Sequence, residues 1–220
     1  MVIIQGNTKH VFWEALLITI VVFFLGILIG VAYEGSNLDR INDYYTVSEI
    51  SLMDILALND LMQMENISCS NLIHSNLDFA DRIYEEARLL EKYDSAGKVN
   101  DNLKLAHKKY DLMRTFLWTN SIRISNRCPD LNTVVYLYEY ETRDLAKKAI
   151  QNVWEKVLFD LKQEMGEEII LIPIAADSNL ASLNVLLRKF NLSKYPVVII
   201  NNKDIIEEIS TVDDLKTYLK

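Results

Sequence analysis

Cys69 and Cys128 are the chain's two cysteines and its most chemically capable side chains. A thiolate can attack a disulfide or ligate a metal. The pair can also be oxidised into a structural bond where the compartment is not reducing. No CxxC occurs, so neither the usual close-spaced redox pair nor a close-spaced zinc-binding pair is present. In an exterior compartment the natural reading is one disulfide, Cys69–Cys128. Closing so long a loop would contribute roughly 4 kcal/mol in the chain-entropy model. The alternatives are two buried thiols that never meet, or an unusual redox pair.

His10, His74 and His107 are the only histidines. His74 lies near Cys69 in sequence, but no second ligand pair accompanies it. No metal site and no cofactor are expected. The acidic pairs Glu85-Glu86, Glu167-Glu168 and Glu207-Glu208 read as solvated faces or loops. There is no GxSxG and no P-loop, and 6 glycines leave little material for a phosphate cradle. The formal charge of −8 and the lack of a basic cluster speak against a nucleic-acid partner.

The elements that must position these groups begin with an apolar run, Val11 to Tyr33, interrupted by charge only at Glu14. As a helix it would be about 34 Å long, against a bilayer core of about 30 Å. It is expected to be a single membrane-spanning helix, residues 11–33, behind a leader of residues 1–10. A cleaved signal peptide is the rival, with Gly30-Val31-Ala32 as a poor cleavage site. Lys9 and the amino terminus on one side, against Arg40 on the other, favour a cytoplasmic amino terminus and an extracytoplasmic body. Gly26 and Gly30 form a GxxxG inside the run, which would let this helix pack closely against another in lipid. Asn66-Ile-Ser68 and Asn191-Leu-Ser193 match the glycosylation sequon, at about chance frequency, and do not decide the topology.

Residues 34–127 read as a helical stalk or bundle. One helix is expected from Asn37 to about Met64, a second after Ser68, and a third from about Val99 to Ile124. Apolar residues recur there at spacings of three and four, as at Ile73, Leu77, Ala80 and Tyr84. At Leu131 the pattern changes. Thr133–Tyr138, Glu168–Ile174, Tyr195–Ile200 and Asp204–Ile209 are β-branched or apolar runs and are expected as strands. Thr142–Met165, Asn179–Phe190 and Val212–Leu219 are expected as helices between and after them. The order is β-α-β-α-β-β-α, an α/β class, with a domain boundary near residue 128. Tyr136, Tyr138 and Tyr140 would share one strand face, packed under the long helix.

That order, with Tyr195-Pro196 leading directly into a strand, resembles the thioredoxin superfamily over about residues 131–220. The resemblance implies a cis peptide bond before Pro196 and an antiparallel hairpin over Val197–Ile209. The family carries its redox pair where the first strand meets the first helix. Here that junction is Glu139-Tyr140-Glu141-Thr142-Arg143-Asp144, which has no cysteine. The resemblance therefore implies a redox-inactive domain. In the family the cis-proline loop presents main-chain groups to an extended peptide, so Tyr195, Pro196 and the nearby Tyr140 are the expected docking residues.

The function expected is a membrane-anchored, non-catalytic docking, scaffold or chaperone-like protein with a protein partner or client. The alternatives are a thiol-disulfide oxidoreductase using Cys69 and Cys128, and an accessory subunit assembled as a homo- or hetero-oligomer through Gly26 and Gly30.

Overall fold

A computed structural model describes residues 8–61, 67–94 and 101–219. The Asn66 sequon and most of the leader lie outside the described residues. Two compact units divide the chain, residues 1–50 and 51–220. The first helix, α1 (Thr8–Leu61), contributes to both. In the first unit, Val11–Val31 has a mean hydropathy of 2.7, and none of it is buried. This one helix is long and apolar enough to cross a membrane.

The second unit is a mixed α/β body. It holds α2 (Cys69–Asp94), α3 (Asp101–Arg127), β1 (Asn132–Tyr138), α4 (Leu145–Met165), a 3-10 turn (Gly166–Glu168), β2 (Ile169–Ala175), α5 (Ala181–Lys189), β3 (Val197–Ile200), β4 (Asp204–Ile206) and α6 (Val212–Lys216). The expected β-α-β-α-β-β-α order is the order found. The sheet runs β2-β1-β3-β4. β1 pairs with β2 in parallel and with β3 antiparallel, and β3 pairs with β4 antiparallel. Pro173, which has no N–H, is tolerated because β2 is an edge strand.

Local chemistry sets the element ends. Ser68 Oγ accepts the Asn71 N–H at the start of α2. Asp144 accepts from the N–H groups of Ala146 and Lys147, so α4 starts at Leu145 rather than at Thr142. Gly166 closes α4 with φ +54°, a conformation that costs glycine little. Asn201 and Asn202 take φ of 52° and 57° in the β3–β4 turn, where Asn tolerates the left-handed region. Thr211 and Asp214 form a reciprocal capping box on α6. β4 ends at Ile206 and not at Ile209, because its ladder to β3 runs only from Ile200↔Asp204 to Val198↔Ile206.

Each face of the sheet carries its own core. On one, Phe79 and Ile83 of α2 and Met113, Leu117 and Trp118 of α3 pack with Val135, Leu137 and Ile172. Leu183 and Leu187 of α5 and Ile55 of α1 complete that cluster. On the other, Trp154, Leu158 and Leu161 of α4 and Leu215 near the end of α6 pack on Val134, Tyr136 and Val198. The boundary expected near residue 128 therefore falls inside a shared core. Met113 and Leu117 on one side of it are as buried as Val135 and Leu137 on the other.

Candidate functional site

β1 and β2 run parallel, and their last residues, Tyr138 and Ala175, are register partners. After β1 the chain turns into α4 on one face of the sheet. After β2 it turns into α5 on the opposite face. Two loops leaving in opposite directions open a crevice at the carboxyl ends of the strands. In open α/β sheets ligands bind at such switch points. One face of α3 closes this crevice, because Lys104, His107, Lys108 and Asp111 recur at spacings of three and four. A cavity of about 160 Å³ remains, bounded also by Tyr140, Asp177 and Ser178.

Polar clamps hold its walls. The Asp177 carboxylate accepts the backbone N–H groups of Tyr140 and Glu141, each at 2.9 Å. Gln151 of α4 mimics a neighbouring strand for Glu139. Its Oε1 accepts the Glu139 N–H at 3.0 Å, and its Nε2 donates to the Glu139 carbonyl at 3.1 Å. Lys147 Nζ reaches both Glu139 carboxylate oxygens at 2.8 Å. Lys104 donates to Glu141 at 2.6 Å across the rim and holds that exposed carboxyl below its ordinary range. The His107 and Tyr140 rings lie 4.5 Å apart, centre to centre.

Asp111 forms the polar floor and is 2% exposed. Its Oδ1 accepts the Ala175 N–H at 3.1 Å, and the Arg114 guanidinium lies 3.6 Å from the same oxygen. Burial pushes its pKa up to about 6 and the Asp177 charge adds to this, while Arg114 and the Ala175 bond oppose it. Burial likewise pushes the neighbouring Tyr138 hydroxyl up to about 12. The Ser178 hydroxyl oxygen is buried without a hydrogen-bond partner.

Cys69 and Cys128 form a disulfide, with Cα atoms 5.5 Å apart. Cys128 is fully buried and precedes the first residue of β1. The crevice lies at the other end of that strand, about 20 Å away at roughly 3.3 Å per residue. No free cysteine remains. The Tyr195–Pro196 bond is cis. Since Val197 pairs with Leu137, this loop shares the sheet end that carries the crevice. Pro196 is itself buried and Tyr195 half-buried. Burial, then the Glu139 charge, raises the Tyr195 pKa.

Tyr140 departs from the expected arrangement. Tyr136 and Tyr138 stack at 5.5 Å on the α4 side, but β1 ends at Tyr138. Tyr140 therefore sits in a turn, free of the strand's alternation, with its ring against His107 of α3. Gly26 and Gly30 lie on an open helix surface, where an added Cβ would meet nothing within 4 Å. His74 is exposed beside Asp78 at 3.2 Å. Among the described residues no group of three or more His, Cys, Asp or Glu is placed to hold a metal.

Asp111, Asp177 and Gln151 are not among the residues that the sequence singles out. A polar Gln151 in register with the buried Trp154, Leu158 and Leu161 was a usable signal. So was the recurrence of Lys104, His107, Lys108 and Asp111 at spacings of three and four along α3.

No family model matches this chain. No curated protein matches it either. Two solved structures overlap part of it. A malarial protein is 22% identical, with a TM-score of 0.30, over 40% of this chain and 92% of its own. Thioredoxin O2 of Arabidopsis thaliana in its oxidised state is 16% identical, with a TM-score of 0.33, over 47% of this chain and 84% of its own.

Proposed function

We propose that this chain is a membrane-tethered, non-catalytic docking protein whose sheet domain is thioredoxin-like. Its amino terminus is cytoplasmic and its body extracytoplasmic. The observation that carries the non-catalytic reading is the fate of the sulfur. Both cysteines are spent on one bond near the amino end of β1, and the junction Glu139–Asp144 holds no thiol. Without a thiolate at that junction, disulfide exchange there has no nucleophile. Three observations support the rest. The element order and the cis Tyr195–Pro196 bond suit a thioredoxin-like domain. The Val11–Val31 helix suits an anchor. A disulfide suits an oxidising compartment.

The docking surface is the sheet end bearing Tyr195, Pro196 and Tyr140. Next to it, the first turns of α4 expose Leu145, Ile150 and Val153. The partner is a protein. The test uses the full chain in its source membranes, with a photo-crosslinking residue at Tyr195 or, as a control, at Val185 on α5. Discrete protein adducts from position 195 and none from 185 are the expected result. Equal labelling from both positions removes the docking reading. A model-disulfide reduction assay on the purified chain checks the other half: turnover that disappears on Cys69→Ser would make the protein an oxidoreductase. Sequencing the mature amino terminus separates a retained anchor from a cleaved signal.

A second reading, an accessory subunit of a membrane complex, is favoured by the open surface at Gly26 and Gly30. Replacing both by Leu should then reduce complex size on native electrophoresis.

A further inference from the structure

We propose that the crevice between the β1–α4 and β2–α5 loops binds a small zwitterion of the α-amino-acid type, its ammonium on Asp111 and its carboxylate on Lys108 and Ser178. This assignment stands apart from the docking reading. It comes from asking which polar groups around the cavity have their needs met.

Several are already engaged. Asp177 holds two backbone N–H groups, and Glu141 is paired with Lys104. Three other groups bear on the charge of a ligand. Asp111, 2% exposed, accepts the Ala175 N–H at Oδ1 with the Arg114 guanidinium 3.6 Å from that oxygen, and Oδ2 is the atom assigned to the cation. The Ser178 hydroxyl is buried without a partner. Lys108 stands on the exposed rim, outside the ion pairs that hold the walls. A buried acceptor below and donors above match a ligand carrying both signs. A simple anion would meet the Asp111 charge, and a simple cation would leave Lys108 and Ser178 unanswered. A burial this deep rewards pairing because an unmet polar group there is costly.

Size narrows the class. An apolar cavity of about 150 Å³ holds benzene, six heavy atoms. A crevice of about 160 Å³ is filled by the backbone and short side chain of glycine, alanine or serine. The His107 and Tyr140 rings form one wall, and an aromatic face also favours an ammonium.

The test is calorimetric titration of the detergent-solubilised full chain at pH 7.5 with glycine, L-alanine, L-serine, ethylamine and propionate. At least one of the three amino acids should bind saturably. Ethylamine and propionate should each bind at least tenfold more weakly. Asp111→Asn keeps an acceptor for Ala175 but should weaken amino-acid binding at least tenfold. Lys108→Gln, on the exposed rim, should weaken it several-fold without disturbing the circular dichroism spectrum. No saturable binding by any of the three overturns the proposal. So does equal binding of ethylamine or propionate, or affinity unchanged in the folded Lys108→Gln protein.

Discussion

Asp177, in the loop after β2, accepts the backbone N–H of Tyr140, in the loop after β1, at 2.9 Å across 37 positions of sequence. Its other carboxylate oxygen takes the next N–H, that of Glu141. One side chain thereby sets the spacing of the two loops that frame the crevice.

Replacing Asp177 by Ala should release that spacing. Two charge-assisted bonds are lost, but at an exposed site, so the cost should be about 1–2 kcal/mol. A drop in melting temperature of roughly 2–8 °C follows for a domain of this size. Asp177→Asn, which keeps one acceptor, should fall between. Amide exchange at Tyr140 and Glu141 should quicken more than at Val135. Unchanged exchange at those two amides would show that the loop is held by something else.

Asp111 predicts a pH dependence with a definite sign. Its folded pKa, about 6, lies above the ordinary 3.8 because burial disfavours the charge. The folded state therefore binds the proton more tightly than the unfolded state. The resulting stabilisation is fully present below about pH 4 and is lost as pH rises to about 6. The groups facing it are Arg114, Asp177 and Tyr138, and only its own titration is removed in Asp111→Asn. The melting temperature of the native chain minus that of Asp111→Asn should thus decline from pH 4 to pH 6 and level off above. Subtracting the variant cancels Glu141 and Asp214, whose lowered pKa values act in the opposite direction. A difference that rises with pH would contradict the burial argument.

Gln151 is 6% exposed and gives both ends of its amide to the Glu139 backbone. Gln151→Ala should cost about 2–3 kcal/mol, because it leaves a partly buried N–H and C=O without partners. Denaturant unfolding followed by tryptophan fluorescence should show a lower midpoint with an unchanged slope. A loss below about 0.5 kcal/mol would mean that water replaces the amide fully.

The disulfide closes a loop with a sequence separation of 59. The Cys69→Ala, Cys128→Ala double variant should lose roughly 4 kcal/mol through the unfolded state. Strong reductant should produce a similar loss in the native chain and none in the variant. If the crevice is independent of the sulfur, amino-acid affinity should be the same in both proteins below their melting temperatures.

Much of the second unit was legible because its signals are local. β-Branched runs marked the strands, helical spacing marked the buried faces of α2 and α3, and caps lay within a residue or three of their helix starts. Where expectation and structure part, a non-local cause decides. β4 stops at Ile206 because its ladder with β3 ends at Val198↔Ile206. Tyr140 leaves the strand face because β1 has already ended. α2 and α3 share a core with the sheet because their apolar faces need burial and the sheet offers one, which no spacing rule can state.

By itself the sequence determined the apolar anchor-length helix, the order of strands and helices, and the absence of a thiol at the β1–α4 junction. These depend on neighbours within a few residues. Only tertiary structure decided that Asp111 meets Ala175 across 64 positions and that Asp177 meets the turn at Tyr140. Parallel pairing of β1 with β2, and the packing of α3 over their carboxyl ends, create those meetings. Sheet register is set by the whole core at once, and no single stretch of chain carries it.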